Sequence, residues 1–222
     1  MYKGVIFDLD GTLSNTLDSI SLSGNLALES IGMASYEKDA YRYFVGDGAK
    51  ELVRRMLINN GDTECSCFEE LITAYRKTFA EHADYNVTVY DGMKETLAEL
   101  KSKGLKLAVL SNKPHAQTLE VVHKLYGEGT FDVIRGNVPE IKRKPAPDGA
   151  LLISKELLIE PCELVYVGDT CVDMKTGKSA GMFTVGVLWG FRDRKELEDN
   201  KADAIISHPH ELLDLITDAL LR

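Results

Sequence analysis

The sequence lacks the cysteine pattern of a disulfide-rich or zinc-binding protein. Its four cysteines among 222 residues, Cys65, Cys67, Cys162 and Cys171, include no Cys-x-x-Cys pair and have no histidine pair with zinc-site spacing nearby. Proteins that depend on disulfides are usually shorter and much richer in cysteine. We therefore expect free thiols and a cytoplasmic protein.

Long apolar runs and an excess of basic residues are also missing. No stretch of about 18 apolar residues occurs, as a membrane-spanning helix requires, and the N-terminus reaches the carboxylate of Asp8 too early for a signal peptide. Lysine and arginine total 26 against 35 aspartates and glutamates, a net charge of −9. A surface this acidic repels nucleic-acid phosphates and anionic lipids. We therefore expect neither nucleic acid nor a membrane as a partner. The protein is expected to be a monomer or a homodimer.

The sequence does contain an alternation of short apolar runs with helical patterns. The runs are of the buried type, without polar alternation, which is typical of a parallel sheet covered on both faces. Six strands are predicted: Gly4–Phe7, Lys106–Leu110, Asp132–Ile134, Leu164–Val167, Thr184–Leu188 and Ala202–Ile206. A last helix is predicted after Pro209, with the apolar stripe Leu212, Leu213, Ile216 and Leu220. The predicted fold class is α/β, with a doubly wound parallel sheet.

The segment 15–85 interrupts this alternation, because it shows helical periodicity and no convincing strand. Ile20, Ala27 and Ile31 share one helical face, and Leu71 and Tyr75 share another. A helical block between the first two strands of a sheet indicates an inserted subdomain. We therefore predict an α/β core of residues 1–14 and 86–222 and an all-helical cap of residues 15–85.

The first predicted strand ends in two carboxylates. Asp8 and Asp10 are two positions apart and project to the same side, and Gly11 permits a sharp exit from the strand. Like charges this close favour a bound cation or a shared proton. Because the carboxyl ends of parallel strands line the ligand crevice, we expect both aspartates at the substrate site.

Further polar side chains follow later strands. Ser111 and Asn112 come directly after the second predicted strand, and Asp169 follows the fourth, with Asp173 four residues beyond it. Between them lies Lys144, and the proline after it keeps this lysine out of helical geometry, so that its ammonium can point inward from a turn. The topology predicts that these groups meet at one edge of the sheet.

This set of groups predicts phosphoryl-transfer chemistry. Hard oxygen ligands from Asp8 and Asp169, with a backbone carbonyl and waters, suit Mg²⁺. The metal and Lys144 can neutralise a phosphoryl group while Asp8 attacks it as a nucleophile. Asp10 is then available to protonate the leaving oxygen and later to deprotonate water.

The motifs resemble those of the haloacid dehalogenase superfamily, in the same order and over nearly the whole chain. They are Asp8-Leu9-Asp10-Gly11-Thr12-Leu13, Ser111-Asn112, Lys144-Pro145, and Gly168-Asp169-Thr170 with Asp173. The resemblance implies a Rossmann-like core, an aspartyl-phosphate on Asp8 and a general acid/base at Asp10. It also implies Mg²⁺ on Asp8, the Asp10 carbonyl and Asp169, supported by Asp173. The phosphate is implied to contact Ser111, Asn112 and Lys144, with help from Thr12.

Two features distinguish branches of that superfamily. Its dehalogenases and phosphonate hydrolases lack an aspartate at the position of Asp10, and its transport ATPases have threonine there. Asp10 therefore indicates phosphate-ester hydrolysis or phosphomutase chemistry. The helical insertion resembles the cap of the phosphoglycolate phosphatase branch.

One loop of the predicted cap is a candidate substrate contact. Gly46 and Gly48 flank Asp47 and permit a tight loop that opens the helix Ala49–Ile58, whose N-terminus favours anions. By resemblance, Gly46, Asp47, Gly48 and Lys50 contact the substrate. An ordinary turn between helices, with Lys50 as a plain surface lysine, is the other interpretation.

These observations predict a Mg²⁺-dependent phosphatase that hydrolyses a small phosphorylated metabolite through an aspartyl-phosphate. Phosphoglycolate is the first candidate substrate, and a cap that closes over the site excludes polymers. The alternatives are a β-phosphoglucomutase-like phosphomutase, a pyrophosphatase or nucleotide 5′-phosphatase, and an inactive binding or regulatory protein on the same fold. The intact set of Asp8, Asp10, Lys144 and Asp169 argues against the last of these.

Overall fold

The structure, a computed structural model, describes residues 1–218 of the chain. These residues divide into two compact units. One unit combines Met1–Asn15 with the chain from Val89 onward, and the other is Thr16–Thr88. The division into an independent core and a cap, with limits at 15 and 85, stays a prediction.

The secondary structure alternates strands and helices outside the second unit. The strands are β1 (Gly4–Phe7), β2 (Ser14–Asn15), β3 (Thr88–Val89), β4 (Lys106–Pro114), β5 (Val133–Asn137), β6 (Leu164–Gly168), β7 (Phe183–Val187) and β8 (Ala204–Ile206). The helices are α1 (Leu17–Ser30), α2 (Tyr41–Phe44), α3 (Ala49–Asn59), α4 (Phe68–His82), α5 (Met93–Ser102), α6 (His115–Tyr126), α7 (Asp148–Leu157), α8 (Cys171–Ser179), α9 (Arg194–Asp199) and α10 (Glu211–Asp218). Short 3₁₀ segments occur at Lys38–Ala40 and Pro161–Glu163.

Six strands form one sheet in the order β5-β4-β1-β6-β7-β8, and the strand pairings described in it are parallel. At its centre, Gly4 of β1 pairs with Lys106 on one side and Leu164 on the other. From β1 the chain builds the sheet outward in one direction and then returns to build it in the other. This reversal is the switch point of a doubly wound sheet, where a ligand crevice opens at the carboxyl ends of the strands.

The apolar composition of the central strands follows from burial on both faces. Ile6 and Tyr166 belong to a buried cluster that includes Ile153 of α7. Phe7 is the next residue along β1 and therefore faces the other side, where its ring meets the edge of Phe131 at 6.5 Å between centroids. Neither face needs polar residues, so the strands show no polar alternation. The predicted doubly wound α/β fold class is confirmed.

The second unit has a helical interior of its own. Helices α1 and α4 pack against each other, and Leu28, Leu71 and Tyr75 are among the side chains they bury. The Thr78 hydroxyl on α4 donates to the Ser23 carbonyl on α1 at 2.8 Å. Helix formation here follows the predicted 3.6-residue periodicity.

The six predicted strands all occur in the sheet, with ends that differ by a few residues, whereas the two-residue strands β2 and β3 were not predicted. In the last predicted helix, Leu212 and Ile216 are buried, while Leu220 lies outside the described residues. Among the helices described, none combines the length and the apolar character needed to cross a membrane. All four cysteines are free thiols.

Candidate active site

Three neighbouring strands end at one edge of the sheet with buried polar side chains. Asp8 follows β1, Ser111 lies near the end of β4 and Asp169 follows β6, and all three are buried. The backbone N–H of Asp8 donates to the Val167 carbonyl at 2.9 Å and so extends the pairing of β1 with β6 by one residue. Parallel pairing thus brings together aspartates and a hydroxyl that are far apart in sequence.

Lys144 reaches the same edge from the loop before α7. Its Nζ lies 2.7 Å from Asp8 Oδ1 and 2.8 Å from Asp173 Oδ1, and its side chain is 3% exposed. Asn112 holds the lysine backbone in both directions, because its Oδ1 accepts from Lys144 N at 3.0 Å and its Nδ2 donates to Lys144 O at 3.1 Å. These bonds make Asn112 a support of Lys144, and its contact with a phosphate stays a prediction.

Asp8, Asp169 and Asp173 form a buried group of carboxylates. One oxygen from each lies within 4.8 Å of the others, a spacing at which one cation can contact all three. The donor set fits Mg²⁺, which prefers hard oxygen ligands. The Lys144 ammonium contacts Asp8 and Asp173, and a divalent cation would add positive charge among the three carboxylates. The side chain of Asp10 is not part of this group, and the ligand role of its carbonyl stays a prediction.

The electrostatics of the group favour a proton on Asp8 and on Asp169 in the absence of a cation. Burial, and then the nearby Asp173 carboxylate, raise the pKa of Asp8 well above its usual range, although Lys144 opposes the shift. The same two causes raise the pKa of Asp169 to about 7. Burial disfavours the Lys144 ammonium, but Asp173 and Asp8 outweigh burial and raise the pKa of the lysine. The lysine therefore stays charged.

The pKa of Asp169 predicts how Mg²⁺ should affect stability at different pH. The folded pKa of about 7 is above that of an unfolded aspartate, so the stabilisation from this proton is present at low pH and is lost as pH rises through 7. A cation binds the ionised carboxylates and displaces the proton. We expect saturating Mg²⁺ to raise the melting temperature by roughly 5–10 °C at about pH 8 and by clearly less at about pH 5.5, as measured by thermal denaturation.

The matched control for this measurement is Asp169→Asn, which keeps the shape of the side chain and removes its ionisation. Because the amide also removes the charge of a proposed ligand, Mg²⁺ should raise the melting temperature of this variant only slightly at either pH. An equal rise in melting temperature at both pH values in the unmodified protein would contradict the assignment of these carboxylates to a cation.

Asp169 is oriented by the segment after β7. Its Oδ2 accepts from the backbone N–H of Phe191 at 2.8 Å, and its Oδ1 accepts from the Thr12 hydroxyl at 3.2 Å. Gly190 permits this approach, since a Cβ there would lie 2.3 Å from the Asp169 Cβ. The structure therefore directs the Thr12 hydroxyl to a candidate metal ligand, and its help in phosphate binding stays a prediction.

Asp173 divides its two oxygens between two tasks. Its Oδ1 contacts Lys144, while its Oδ2 accepts from the N–H and the hydroxyl of Thr170 at 3.1 and 2.7 Å. The bond from the Thr170 N–H, together with the bond that the Asp173 N–H donates to the Thr170 side chain, forms a capping box at the start of α8. One carboxylate therefore both caps the start of α8 and contacts Lys144.

The loop predicted to contact substrate has a defined structure within the second unit. Gly46 and Gly48 have φ values of 113° and 80°, in the region that favours glycine. The Asp47 carboxylate pairs with the Arg55 guanidinium, which also donates to the Phe44 carbonyl at 3.0 Å. Lys50 is exposed in the first turn of α3. The contacts of Arg55 hold this loop against α3. Its contact with substrate stays a prediction.

Sequence reasoning missed several groups that the structure brings to the site. The Lys113 ammonium lies 2.8 Å from Asp10 Oδ1, and the Trp189 indole N–H donates to the Thr12 carbonyl at 2.9 Å. The alternation of a strand offered one signal, because Lys113 is two positions after Ser111 and can share its side. The Phe191 N–H that donates to Asp169 is a backbone group, so no pattern of side chains in the sequence could have indicated it.

The chain matches known proteins over most of its length. A family model described as haloacid dehalogenase-like hydrolase matches residues 5–187. A phosphoglycolate phosphatase of Aquifex aeolicus (strain VF5) is 32% identical over 218 residues, which is 98% of each protein. A crystal structure from Lactobacillus delbrueckii subsp. bulgaricus, provisionally assigned as phosphoglycolate phosphatase, has a TM-score of 0.92 and 28% identity, covering 97% of this chain and 98% of that one. A provisionally assigned β-phosphoglucomutase of Thermotoga maritima has a TM-score of 0.74 and 27% identity, covering 98% and 99%.

Proposed function

This chain belongs to the haloacid dehalogenase-like hydrolases, and from that premise we propose that it is a Mg²⁺-dependent phosphatase acting on phosphoglycolate through an aspartyl-phosphate. One observation carries the mechanism: Lys144 bridges Asp8 and Asp173 at the end of the central strands, with Asp169 beside them. A carboxylate held by a buried ammonium within an acidic group has the surroundings of a nucleophile for phosphorus, not of a surface charge.

In the first half of the reaction, a carboxylate oxygen of Asp8 attacks the phosphorus of the substrate. A new oxygen–phosphorus bond forms as the bond from phosphorus to the alcohol oxygen breaks. Asp10 donates its proton to that departing oxygen. Lys144 remains protonated and balances negative charge on the transferring group.

In the second half, water attacks the phosphorus of the aspartyl-phosphate. Asp10 is now a carboxylate, and it accepts the proton of this water as the bond between phosphorus and the Asp8 oxygen breaks. Inorganic phosphate leaves, and Asp8 and Asp10 return to their starting states. The same side chain thus serves as acid and then as base, so no other titrating group is needed.

Asp8, Asp169 and the Asp10 carbonyl are the residues we assign to Mg²⁺, with Asp173 in support. When bound, the ion supplies positive charge that neutralises the phosphate oxygens and lowers repulsion between the phosphate and the Asp8 carboxylate. The buried carboxylates Asp8, Asp169 and Asp173, which lie within 4.8 Å of one another, support this assignment.

The proposed substrate rests on likeness to relatives, since the Aquifex aeolicus protein named phosphoglycolate phosphatase matches 98% of this chain. The test is a phosphate-release screen over small phosphorylated metabolites, with and without Mg²⁺. We expect Mg²⁺-dependent release, with phosphoglycolate among the best substrates. If every member of the panel were inert, the interpretation as an inactive binding protein would replace this proposal.

A phosphomutase is the second candidate, favoured by the likeness to the Thermotoga maritima structure. Incubation with β-glucose 1-phosphate, followed by phosphorus NMR, separates the two activities. A hydrolase releases inorganic phosphate, whereas a mutase interconverts phosphate isomers without releasing it. Pyrophosphate and nucleoside 5′-monophosphates in the same panel test the remaining alternatives.

The predicted role of the loop Gly46–Lys50 yields its own experiment. If the Lys50 ammonium binds the carboxylate of phosphoglycolate, Lys50→Met should raise the KM for this substrate about tenfold, since a charge-assisted hydrogen bond is lost. The KM for p-nitrophenyl phosphate, which has no carboxylate, should be unchanged. Lys77→Met, at an exposed lysine of α4 in the same unit, is the matched control. Equal effects on both substrates would exclude carboxylate recognition by Lys50.

A further inference from the structure

Lys113 is a buried lysine at the end of β4 that has no part in the mechanism above. Its Nζ lies 2.8 Å from Asp10 Oδ1, and its side chain is 2% exposed, against 21% for that of Asp10. A lysine is almost never buried to this degree unless its charge is paired. The partner is the side chain to which we assign proton transfer.

The backbone of β4 places this lysine with precision. The register of β4 against β5 shifts between Leu110 and Pro114, and all residues from Ser111 to Lys113 are buried. Such an irregularity re-aims side chains at the end of a strand. The Lys113 N–H donates to the Ser111 hydroxyl at 3.1 Å, and its carbonyl accepts from the Thr118 hydroxyl at 3.1 Å. The lysine is therefore anchored at its backbone as well as at its ammonium.

The pair of Lys113 with Asp10 differs in burial from a second lysine–aspartate pair of the same strand. At the start of β4, Lys106 Nζ lies 2.7 Å from Asp132 Oδ1, but its side chain is 53% exposed. Exposed pairs contribute little, because water screens them and both side chains lose freedom. The two lysine–aspartate pairs have nearly the same distance, so burial of the lysine is what distinguishes Lys113.

We propose that Lys113 is a positioning residue for proton transfer: it holds Asp10 by Oδ1 and thereby directs Oδ2 toward the departing oxygen and, later, toward water. This inference rests on the proposed function, in which Asp10 is the general acid and base. Lys113 neither gives nor takes a proton in this scheme. The proton given to the alcohol oxygen comes from Asp10, and the proton taken from water returns to Asp10.

The role predicts a dependence on the leaving group. An alkyl phosphate such as phosphoglycolate releases a basic oxygen that needs a proton as the bond breaks, whereas p-nitrophenyl phosphate releases a stable phenolate that does not. We expect Lys113→Met to lower kcat/KM about 10- to 100-fold for the alkyl phosphate, because a misplaced acid transfers its proton poorly. For the aryl phosphate, the loss should stay below about threefold. Both values of kcat/KM report the steps up to cleavage of the substrate bond.

A double-mutant cycle tests whether Lys113 acts through Asp10. Lys113→Met, Asp10→Asn and the double variant are compared on the alkyl phosphate, and the second substitution should have almost no effect once Asp10 is asparagine. Additive losses would overturn the proposal, as would equal losses on both substrates, since either result indicates a direct contact with phosphate or a general structural defect. Lys106→Met is the matched control and should retain the kcat/KM of the unmodified protein.

The variant Lys113→Gln provides a second test of the hydrogen bond between Lys113 and Asp10. Lys113→Gln retains a hydrogen-bond donor and should lose less activity than Lys113→Met; if it lost as much or more, a hydrogen-bonded hold on Asp10 would be refuted. If Lys113→Met did not fold, the leaving-group comparison would be made with Lys113→Gln. Failure of the proposed function has a different signature, because the unmodified protein would then release no phosphate from either substrate.

Discussion

Asp8→Asn is expected to abolish phosphate release, with a fall in kcat of about 10⁴-fold or more, because the amide cannot form the oxygen–phosphorus bond of the intermediate. The substitution keeps the size of a side chain that is buried beside Lys144. Inorganic phosphate released from phosphoglycolate in the presence of Mg²⁺ is the measurement. Unchanged release would require the assignment of the nucleophile to be abandoned.

The same substitution should not destabilise the metal-free protein. Asp8 is one of three buried carboxylates around one ammonium, and its pKa is raised chiefly by burial and by Asp173. Removal of one acidic group reduces both costs, so the melting temperature of Asp8→Asn is expected to equal or exceed that of the unmodified protein at about pH 8. Asp199→Asn, which breaks an exposed pair with Lys195, is the control for activity and stability. A large fall in melting temperature would mean that lost activity reports unfolding and not lost chemistry.

Lys144→Met is expected to reduce both activity and stability. Loss of the ammonium removes positive charge from the transferring phosphate and lowers kcat by about 10²- to 10³-fold or more. It also leaves the buried carboxylates of Asp8 and Asp173 without their partner. Breaking a buried ion pair in this way costs about 3–5 kcal/mol, which corresponds to a fall in melting temperature of roughly 6–20 °C.

A second substitution tests whether unbalanced charge causes the lower melting temperature of Lys144→Met. Asp173→Asn in the same chain removes one of the carboxylates left without the lysine, and we expect it to recover part of the melting temperature without recovering activity. Lys142→Met, at an exposed lysine two positions earlier, should change neither. If Lys144→Met melted like the unmodified protein at about pH 8, the buried pairs with Asp8 and Asp173 would not be present in solution.

Asp8→Asn and Lys144→Met are therefore expected to differ in their effect on the melting temperature. The first should keep or raise it, and the second should lower it. Both should remove activity, but one reduces the negative charge of the buried group and the other increases it. A defect of folding alone lowers stability in both variants. The difference between their melting temperatures is thus a measure of the electrostatics of the group, independent of turnover.

The strands were predictable because their signal is local. Gly4–Phe7 and Leu164–Val167 are short apolar runs without polar alternation, and burial on both faces of a parallel sheet imposes this pattern on each strand separately. The carboxyl ends of the strands were predictable for the same reason, so Asp8 and Asp169 could be placed at the crevice before any contact was known.

The hydrogen-bond partners of individual side chains were harder to predict from the sequence. Asn112 was predicted to hold phosphate, and the structure adds that its amide bonds the backbone of Lys144, 32 residues away in sequence. Thr12 was assigned to phosphate, and its hydroxyl donates to Asp169. No periodicity in the sequence describes the side-chain directions that decide these two protein partners, and the phosphate contacts of both residues stay predictions.

The sequence by itself determined the α/β sheet and the kinds of chemical group that gather at its edge, since both follow from the alternation along each segment and the connection of parallel strands. Only the tertiary structure decided how those groups are joined. It pairs Lys113 with Asp10 across 103 residues, divides the oxygens of Asp173 between a helix N-terminus and Lys144, and directs the Phe191 N–H to Asp169. Contacts of this kind depend on the positions of atoms to a fraction of an ångström, and those positions are set by packing of the whole unit and not by any local segment.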